Sequence, residues 1–332
     1  MSEEVREVVI IGSGPAGYTA ALYTARANLQ PLVLAGYLSG GQLMITSDVE
    51  NYPGFENGIM GPDLMEIFKK QAERFGAEVL PVDVDSVDFR KQPFEIHAGG
   101  KTYLAKTAIV ATGAAAKWLG VPGEEQLMGH GVSGCATCDG FFFKGQDLAV
   151  IGGGDTALEE ATFLTRFATS VTLIHRRNEL RGSKAMQQRA QENPKISFLW
   201  DTEVLEMQGN GKLSSLRLRN VNTGEETERP FGGVFVAIGH QPNTKLFAGQ
   251  LELDGKGYVK SPHPESTVTN IPAVFAAGDV RDHVYRQAVT AAGDGCKAAI
   301  DAERWLEAHN DRSVDRSAEL YAMAPARMDE KA

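Results

Sequence analysis

Cysteine is scarce in this chain of 332 residues: there are three, and two of them, Cys135 and Cys138, stand two residues apart. Three cysteines cannot form the disulfide framework of a small secreted domain, so the close pair is not bracing an extracellular scaffold. No uninterrupted apolar run approaches the roughly 18 residues of a membrane-spanning helix. Positive charge is the minority sign: 33 Lys and Arg against 43 Asp and Glu leave a formal charge of −10. With no basic face to neutralise phosphates, nucleic acid is not an expected partner. The start, Met1-Ser2-Glu3-Glu4, lacks the positive end of a secretory signal, and the expected location is the cytoplasm.

Glycine, by contrast, is abundant, at 36 residues, and the hydrophobic fraction of 42% is ample for buried cores. The length favours about two domains, and the glycine content fits an α/β protein with many tight turns.

Residues 6–11 (Arg-Glu-Val-Val-Ile-Ile) read as a buried parallel strand. Gly12-Ser13-Gly14-Pro15-Ala16-Gly17 follows at once, then a helix from Pro15 to about Arg26 and a second apolar strand, Pro31-Leu32-Val33-Leu34. Strand, Gly-x-Gly-x-x-Gly, helix and strand form the context of a dinucleotide fingerprint. Its glycines let backbone approach a pyrophosphate whose charge the helix N-terminus stabilises. The second strand of such a unit usually ends in an acid for a ribose hydroxyl; here it ends Leu34-Ala35-Gly36. The ribose therefore needs other partners, with Gly40-Gly41-Gln42 the nearest candidates. By composition 37–62 reads as surface turns, the alternative being that Gln42 and Asn51 hydrogen-bond a cofactor. A helix over about 62–75 and strands over about 78–104 come next. The apolar strand from Thr107 closes on Ala111-Thr112-Gly113, small residues that leave room for a ligand.

A second unit repeats the first. Asp147–Ile151 reads as the strand, Gly152-Gly153-Gly154-Asp155-Thr156-Ala157 as the loop, Asp155 to about Phe167 as the helix and Val171–Ile174 as the next strand. Gly12 to Val33 and Gly152 to Leu173 are both 21 residues, and Val110-Ala111-Thr112-Gly113 is echoed by Val236-Ala237-Ile238-Gly239. The chain therefore holds an internal repeat of two nucleotide-binding units. After the second repeat's second strand comes His175-Arg176-Arg177, with Arg181 four residues on. Such a cluster suits the 2′-phosphate of NADPH, because arginine presents a planar fork of donors; the plainer reading is a solvated, charged helix start.

Between the two glycine loops lies Cys135-Ala136-Thr137-Cys138-Asp139. A zinc site needs four ligands at suitable spacing, and beyond the pair only Cys296 and scattered histidines such as His130 and His175 remain, so no metal is expected. A reduced structural pair is the second alternative. The redox reading is favoured: small residues separate the sulfurs, and two flanking dinucleotide sites could supply electrons. Asp139 could shuttle the proton of each exchange step or be an ordinary loop carboxylate. Cys296 reads as a packed helix residue. Val274–Asp279 is a further strand ending in an acid, and a helix begins near Arg286-Gln287-Ala288; this stretch belongs to neither repeat, so the chain is expected to return to its first domain. Beyond about His309 the sequence turns polar and aperiodic, which reads as a loosely docked tail.

In that order, the two glycine motifs, Cys135-Ala136-Thr137-Cys138-Asp139-Gly140, His175-Arg176-Arg177 and Ala277-Gly278-Asp279-Val280 resemble those of the low-molecular-weight bacterial thioredoxin reductases, over about residues 6–308. The resemblance implies an α/β protein of two Rossmann-like domains, the NADPH domain inserted into a discontinuous FAD domain. The FAD domain would span 1–115 and 243–310, the NADPH domain with the disulfide 116–242, and a flexible tail 311–332. It also implies a homodimer and thioredoxin as the partner. Gly12 through Gly17 would hold the FAD pyrophosphate. Ala35, Gly36, Gly40, Gly41, Gln42 and Asn51 would line the flavin side, which reverses the surface-turn reading. Ala111, Thr112, Gly113 and Gly278 would pack on FAD, Asp279 would bind its ribityl or phosphate region, and Arg286, Gln287 and Ala288 would lie beside its ring system. Gly152, Gly154, Asp155 and Thr156 would meet the NADPH pyrophosphate. His175, Arg176, Arg177 and Arg181 would form the 2′-phosphate end, and Ile238 and Gly239 would close that site. Cys138 would be the sulfur nearer the flavin, Cys135 the one that attacks thioredoxin, and Asp139 the general acid.

The pair would then have to meet a buried flavin in one step and a protein in another, which implies rotation of the inserted domain about linkers near 113–118 and 240–246. Gly134 departs from the small residue many relatives carry there, without expected consequence. The tail exceeds the usual ending and has no cysteine, so it is no second redox arm. A related flavoprotein reductase with another disulfide acceptor is the alternative. The flavoprotein of alkyl hydroperoxide reductase carries a long N-terminal extension. Ferredoxin–NADP reductases of this fold lack the Cys-x-x-Cys, and ferredoxin-reduced relatives lack the basic cluster. A non-catalytic redox sensor is the reading from another class.

Overall fold

The structure, a computed structural model, describes residues 4–46, 48–263 and 265–310; the expected tail over 311–332 lies outside the described residues. The chain divides into two compact units. One runs to Asp48, then over Tyr52–Ala115 and from Pro242 onward; the other comprises Val49–Asn51 and Ala116–Gln241. The second is thus inserted into the first.

The first unit is built on one sheet. Its strands run Glu78–Leu80, Leu32–Leu34, Val5–Ile11, Lys101–Val110, Phe94–Ala98 and Val84–Asp88, with Val274–Ala276 also pairing to Lys101–Val110. The first four are parallel, as is Val274–Ala276; the Phe94–Ala98 and Val84–Asp88 strands are antiparallel. Val8, Val9, Ile10 and Ile11 are all buried, which is why this strand is apolar without alternation. Val9 and Ile11 pack into a core with Phe94, Ile96 and Phe247; by strand geometry Val8 and Ile10 point the opposite way. Helix Pro15–Arg26 starts at Pro15, whose missing N–H costs nothing in the first turn. It packs on helix Ala288–Asn310 through small residues. A side chain on Gly295 would run into the Ala16 carbonyl, so the two backbones touch there.

The second unit repeats this plan with a five-stranded parallel sheet in the order Val132–Ser133, Gly233–Val236, Asp147–Ile151, Ser170–Ile174 and Ile196–Leu199. Alternation sorts its core. Leu148, Val150 and Phe235 face helix Asp155–Leu164, while Ala149, Ile151 and Val234 face Met207, Leu216 and Leu218. Those last three belong to a three-stranded antiparallel sheet, Thr202–Gly209, Leu213–Asn220 and Glu226–Pro230. The chain enters and leaves the unit through strands Ala114–Ala116 and His240–Pro242, which pair with each other.

Three local expectations are refined. The helix expected to reach Phe167 ends at Leu164. Thr162 and Thr165 donate their hydroxyls to the carbonyls of Leu158 and Thr162, a competition that loosens a helix end. The 37–62 stretch contains a short helical turn, Gly41–Ile45, and strands Asp48–Val49 and Ile59–Met60. The cysteine loop itself is a helical turn, Ala136–Asp139.

Candidate active site

Cys135 and Cys138 are joined as a disulfide with their Cα atoms 5.3 Å apart. Cys135 stands just before the Ala136–Asp139 turn, and its carbonyl accepts from the Cys138 and Asp139 N–H groups at 3.3 and 3.1 Å. Both cysteines are part-buried and Thr137 is exposed, its hydroxyl 3.4 Å from Cys135 Sγ. The Ser133 hydroxyl donates to Asp139 Oδ2 at 2.5 Å. Burial raises the Asp139 pKa above the ordinary carboxylate value, and the Ser133 hydrogen bond works against that rise. A carboxyl so placed can hold a proton beside the sulfurs at a pH where an exposed one cannot.

The first glycine loop is drawn together by Ser13. Its hydroxyl donates to the Ala35 carbonyl at 2.6 Å and accepts from the Gly40 N–H at 2.9 Å, so Gly12–Gly17, Ala35–Gly36 and Gly40–Gly41 converge. Gly12 has φ +109°, and a side chain there would strike the Ala111 carbonyl. Thr112 and Gly113 are clasped by Asn243. The Thr112 hydroxyl donates to the Asn243 carbonyl at 2.8 Å, Asn243 Nδ2 donates to the Thr112 carbonyl at 2.8 Å, and the Asn243 N–H donates to the Gly113 carbonyl at 3.0 Å. Gln42 and Asn51 are exposed. The 282–286 loop is held by Asp282, whose carboxylate accepts from the N–H groups of Val284, Tyr285 and Arg286; Arg286 sits at φ +48°. Gln287 and Ala288 lead into the last helix.

This cradle fits a dinucleotide. Helix Pro15–Arg26 has no side-chain cap and no acid in its first turn, so its N–H groups are open to an anion. A Cβ on Gly14 would meet nothing within 4 Å. Asp279 Oδ1 is buried with no hydrogen-bond partner among the described residues, the signature of a carboxyl awaiting a ligand hydroxyl. Burial first, then Asp282 and Asp294, push the Asp279 pKa up to about 7 against the pull of Arg286.

A test follows. An unfolded Asp ionises near pH 4, so between about 4 and about 7 the folded, nucleotide-free protein holds a proton that the unfolded chain has lost. Its stability therefore falls as pH rises through that window. Asp279→Asn is expected to flatten the fall in melting temperature between pH 5 and pH 8; parallel curves for the two proteins would contradict the assignment.

The second cradle has the same logic. Gly152 has φ +154°, and a side chain on it would strike the Ala237 carbonyl, the counterpart of Gly12 against Ala111. Helix Asp155–Leu164 follows Gly154, again without a side-chain cap, and Thr156 lies in its first turn. The basic segment folds back over this loop: Arg181 N–H donates to the Gly153 carbonyl at 2.6 Å, and Ser183 N–H to Asp155 Oδ1 at 2.7 Å. The Asp155 carboxylate is thus used in shaping the chain. His175 is buried with its ring against Gly153, and its Nε2 lies 3.0 Å from the Glu179 carbonyl. Burial lowers its pKa, the Glu179 carbonyl opposes this, and Arg181, Arg177 and Arg176 lower it further. A neutral imidazole donating to Glu179 braces the loop from below.

Arg176, Arg177 and Arg181 line one cavity of about 420 Å³, a donor set suited to phosphate. Ile238 and Gly239 end the Gly233–Val236 arm of the same sheet and are part-buried. Asp201, Val221 and Asn222 also line this cavity. Sequence reasoning missed them, as it missed Ser133 and Asn243. Ser133 had one available signal, its place two residues before Cys135. The others come from segments far along the chain, where no local pattern marks them.

Two dinucleotide cradles at the ends of parallel strands, with a disulfide and a proton-holding carboxyl in one of the units, are the working parts of a nucleotide-dependent disulfide oxidoreductase. Residues 6–295 match the family model described as Pyridine nucleotide-disulphide oxidoreductase, and the chain belongs to that family. It is 61% identical over 310 residues to a thioredoxin reductase of Streptomyces coelicolor, covering 93% of this chain and 96% of that one. It is 59% identical over 325 residues to the thioredoxin reductase of Streptomyces clavuligerus, covering 97% and 99%. The solved thioredoxin reductase of Streptococcus pyogenes is 44% identical with a TM-score of 0.87, over 92% of this chain and all of that one.

Proposed function

We propose that this protein is a thioredoxin-disulfide reductase that draws electrons from NADPH by way of FAD. The observation that carries the reading is the part-buried Cys135–Cys138 disulfide beside Asp139, in a chain with two dinucleotide cradles. Relatives that match nearly its full length bear the name thioredoxin reductase. When bound, NADPH supplies a hydride and FAD relays the electron pair towards a disulfide.

The chain's own residues divide the work. Gly12 through Gly17 would cradle the FAD pyrophosphate, Asp279 would take a hydroxyl of its chain, and Ala35 to Gln42, Ala111 to Gly113 and Arg286 to Ala288 would shape the pocket around it. Gly152, Gly154, Asp155 and Thr156 present the second cradle to NADPH, with Ile238 and Gly239 beside it. Arg176, Arg177 and Arg181 take the 2′-phosphate, and His175 supports them from beneath. As a thiolate, Cys135 attacks the partner's disulfide; that S–S bond breaks and a new one joins Cys135 to the partner. Cys138 then attacks Cys135, restoring the internal disulfide and releasing the partner with both its sulfurs reduced. Asp139 gives a proton to the departing sulfur. Phe141 and Phe142, 61% and 42% exposed and separated from Asp139 by Gly140 alone, offer a partner protein an apolar contact.

The same reading includes a homodimer in the cytoplasm. Among the described residues no helix is long and apolar enough to cross a membrane. The test is NADPH oxidation by the purified yellow protein with and without oxidised thioredoxin. Turnover that requires thioredoxin supports the proposal. Oxidation that ignores thioredoxin but follows another disulfide would assign the chain to a different acceptor.

A further inference from the structure

Ser133 belongs to neither nucleotide cradle and is not one of the sulfurs, yet its hydroxyl bridges the Asp139 carboxyl and the Cys135 backbone. It is 6% exposed and ends the strand Val132–Ser133, where it pairs with Phe235 of the parallel sheet. The sheet therefore fixes its backbone independently of the cysteine turn. A serine hydroxyl has one hydrogen and two lone pairs. Here the hydrogen goes to Asp139 Oδ2 at 2.5 Å, and the oxygen accepts from the Cys135 N–H at 3.0 Å. The Cys135 carbonyl, 3.4 Å from the same hydroxyl, is the longer competing acceptor.

Resting on the disulfide-reductase reading above, we infer that Ser133 is the positioning residue of the proton-transfer step: it ties the Asp139 carboxyl and the Cys135 backbone to the sheet, so that the acid keeps its place while the disulfide opens and closes. When Cys135 thiolate attacks the partner's disulfide, one S–S bond forms, one breaks, and the electron pair leaves on the partner's sulfur. That sulfur takes the proton held by Asp139, and the partner gains two electrons as the dithiol is oxidised. A carboxyl no longer tied to the sheet would lose its alignment with the departing sulfur.

The surroundings leave Ser133 as a direct lever on that proton. The turn Ala136–Asp139 carries no titratable group besides Asp139 and the thiol of Cys138, with Cys135 preceding it; Gly140–Phe143, which follows, carries none. Helix Asp155–Leu164, packed against the turn, contributes Asp155, Glu159 and Glu160. The hydroxyl favours the ionised carboxyl, so removing it raises the Asp139 pKa further.

The test uses the FAD-containing protein reduced chemically in advance and mixed once with oxidised thioredoxin, so that NADPH plays no part. Ser133→Ala is expected to slow the exchange about tenfold, a fraction of what a general acid contributes. It should also carry the alkaline limb of the rate profile to higher pH. Ser133→Thr, which keeps the hydroxyl on a strand that tolerates branching, restores both. Melting temperature and bound-flavin absorbance monitor the fold of each variant. A slower Ser133→Ala with an unmoved limb, or a Ser133→Thr as slow as Ser133→Ala, overturns the inference. Failure of the underlying reading looks different: Asp139→Asn would then exchange at the full rate, or the wild type would not react with thioredoxin at all.

Discussion

Cys138→Ser is expected to abolish turnover with thioredoxin, by at least about 10³-fold, because it removes both the acceptor of the incoming electron pair and the group that resolves the mixed disulfide. Cys135 remains as a thiol and still attacks, so the variant should stop after one event and accumulate a covalent adduct with thioredoxin. The adduct should run as a single larger band without reductant and vanish with it. Cys135→Ser should lose turnover equally but trap no such adduct, because the remaining thiol is not the attacking one. The third cysteine, Cys296, is part-buried on the last helix and should leave both results unchanged when replaced by serine. Turnover of Cys138→Ser above a few per cent of wild type would remove the pair from the electron path.

Replacing Arg176 and Arg177 together by alanine should raise the KM for NADPH about 100-fold with kcat little changed. A hydrogen bond to a charged group contributes roughly 1.5–3 kcal/mol, and about 1.4 kcal/mol is a factor of ten; two exposed arginines on one phosphate reach that range even after losses to solvent. NADH lacks the 2′-phosphate, so its KM should move little and the preference for NADPH should collapse. The cavity that Arg176 and Arg177 share with Arg181 is what distinguishes this expectation from that for a charged helix start. Equal losses with both nucleotides would mean that the arginines hold the fold of the second unit and do not read the phosphate.

Much of this was legible in the residues, for definite reasons. A parallel strand buried on both faces must be apolar throughout, so Val8–Ile11 and Leu148–Ile151 announced themselves. The glycines at 12 and 152 are forced by backbone approach to Ala111 and Ala237, and the equal spacing to the next strand exposed the repeat. The pair of cysteines stood out because there were so few.

What sequence did not show depends on contacts between distant segments. Asn243 clasps Thr112 across 131 residues. Val221 and Asn222 reach the arginine cavity from the turn of a three-stranded sheet that the pattern of the chain did not reveal. The role of Asp155 was open to the same limit, since nothing in the sequence shows its carboxylate engaged with Ser183. His175 likewise reads as a member of a basic cluster until its burial under Gly153 is seen.

The central claim is that electrons from NADPH arrive on Cys135 and Cys138. The direct test is to mix the purified protein anaerobically with NADPH, quench it with an alkylating agent under denaturing conditions, and map the labelled cysteines by mass spectrometry. Before NADPH only Cys296 should be labelled, because Cys135 and Cys138 are joined. After NADPH all three should carry the label, with the nucleotide consumed in proportion. Consumption of NADPH with the label still confined to Cys296 would contradict the account.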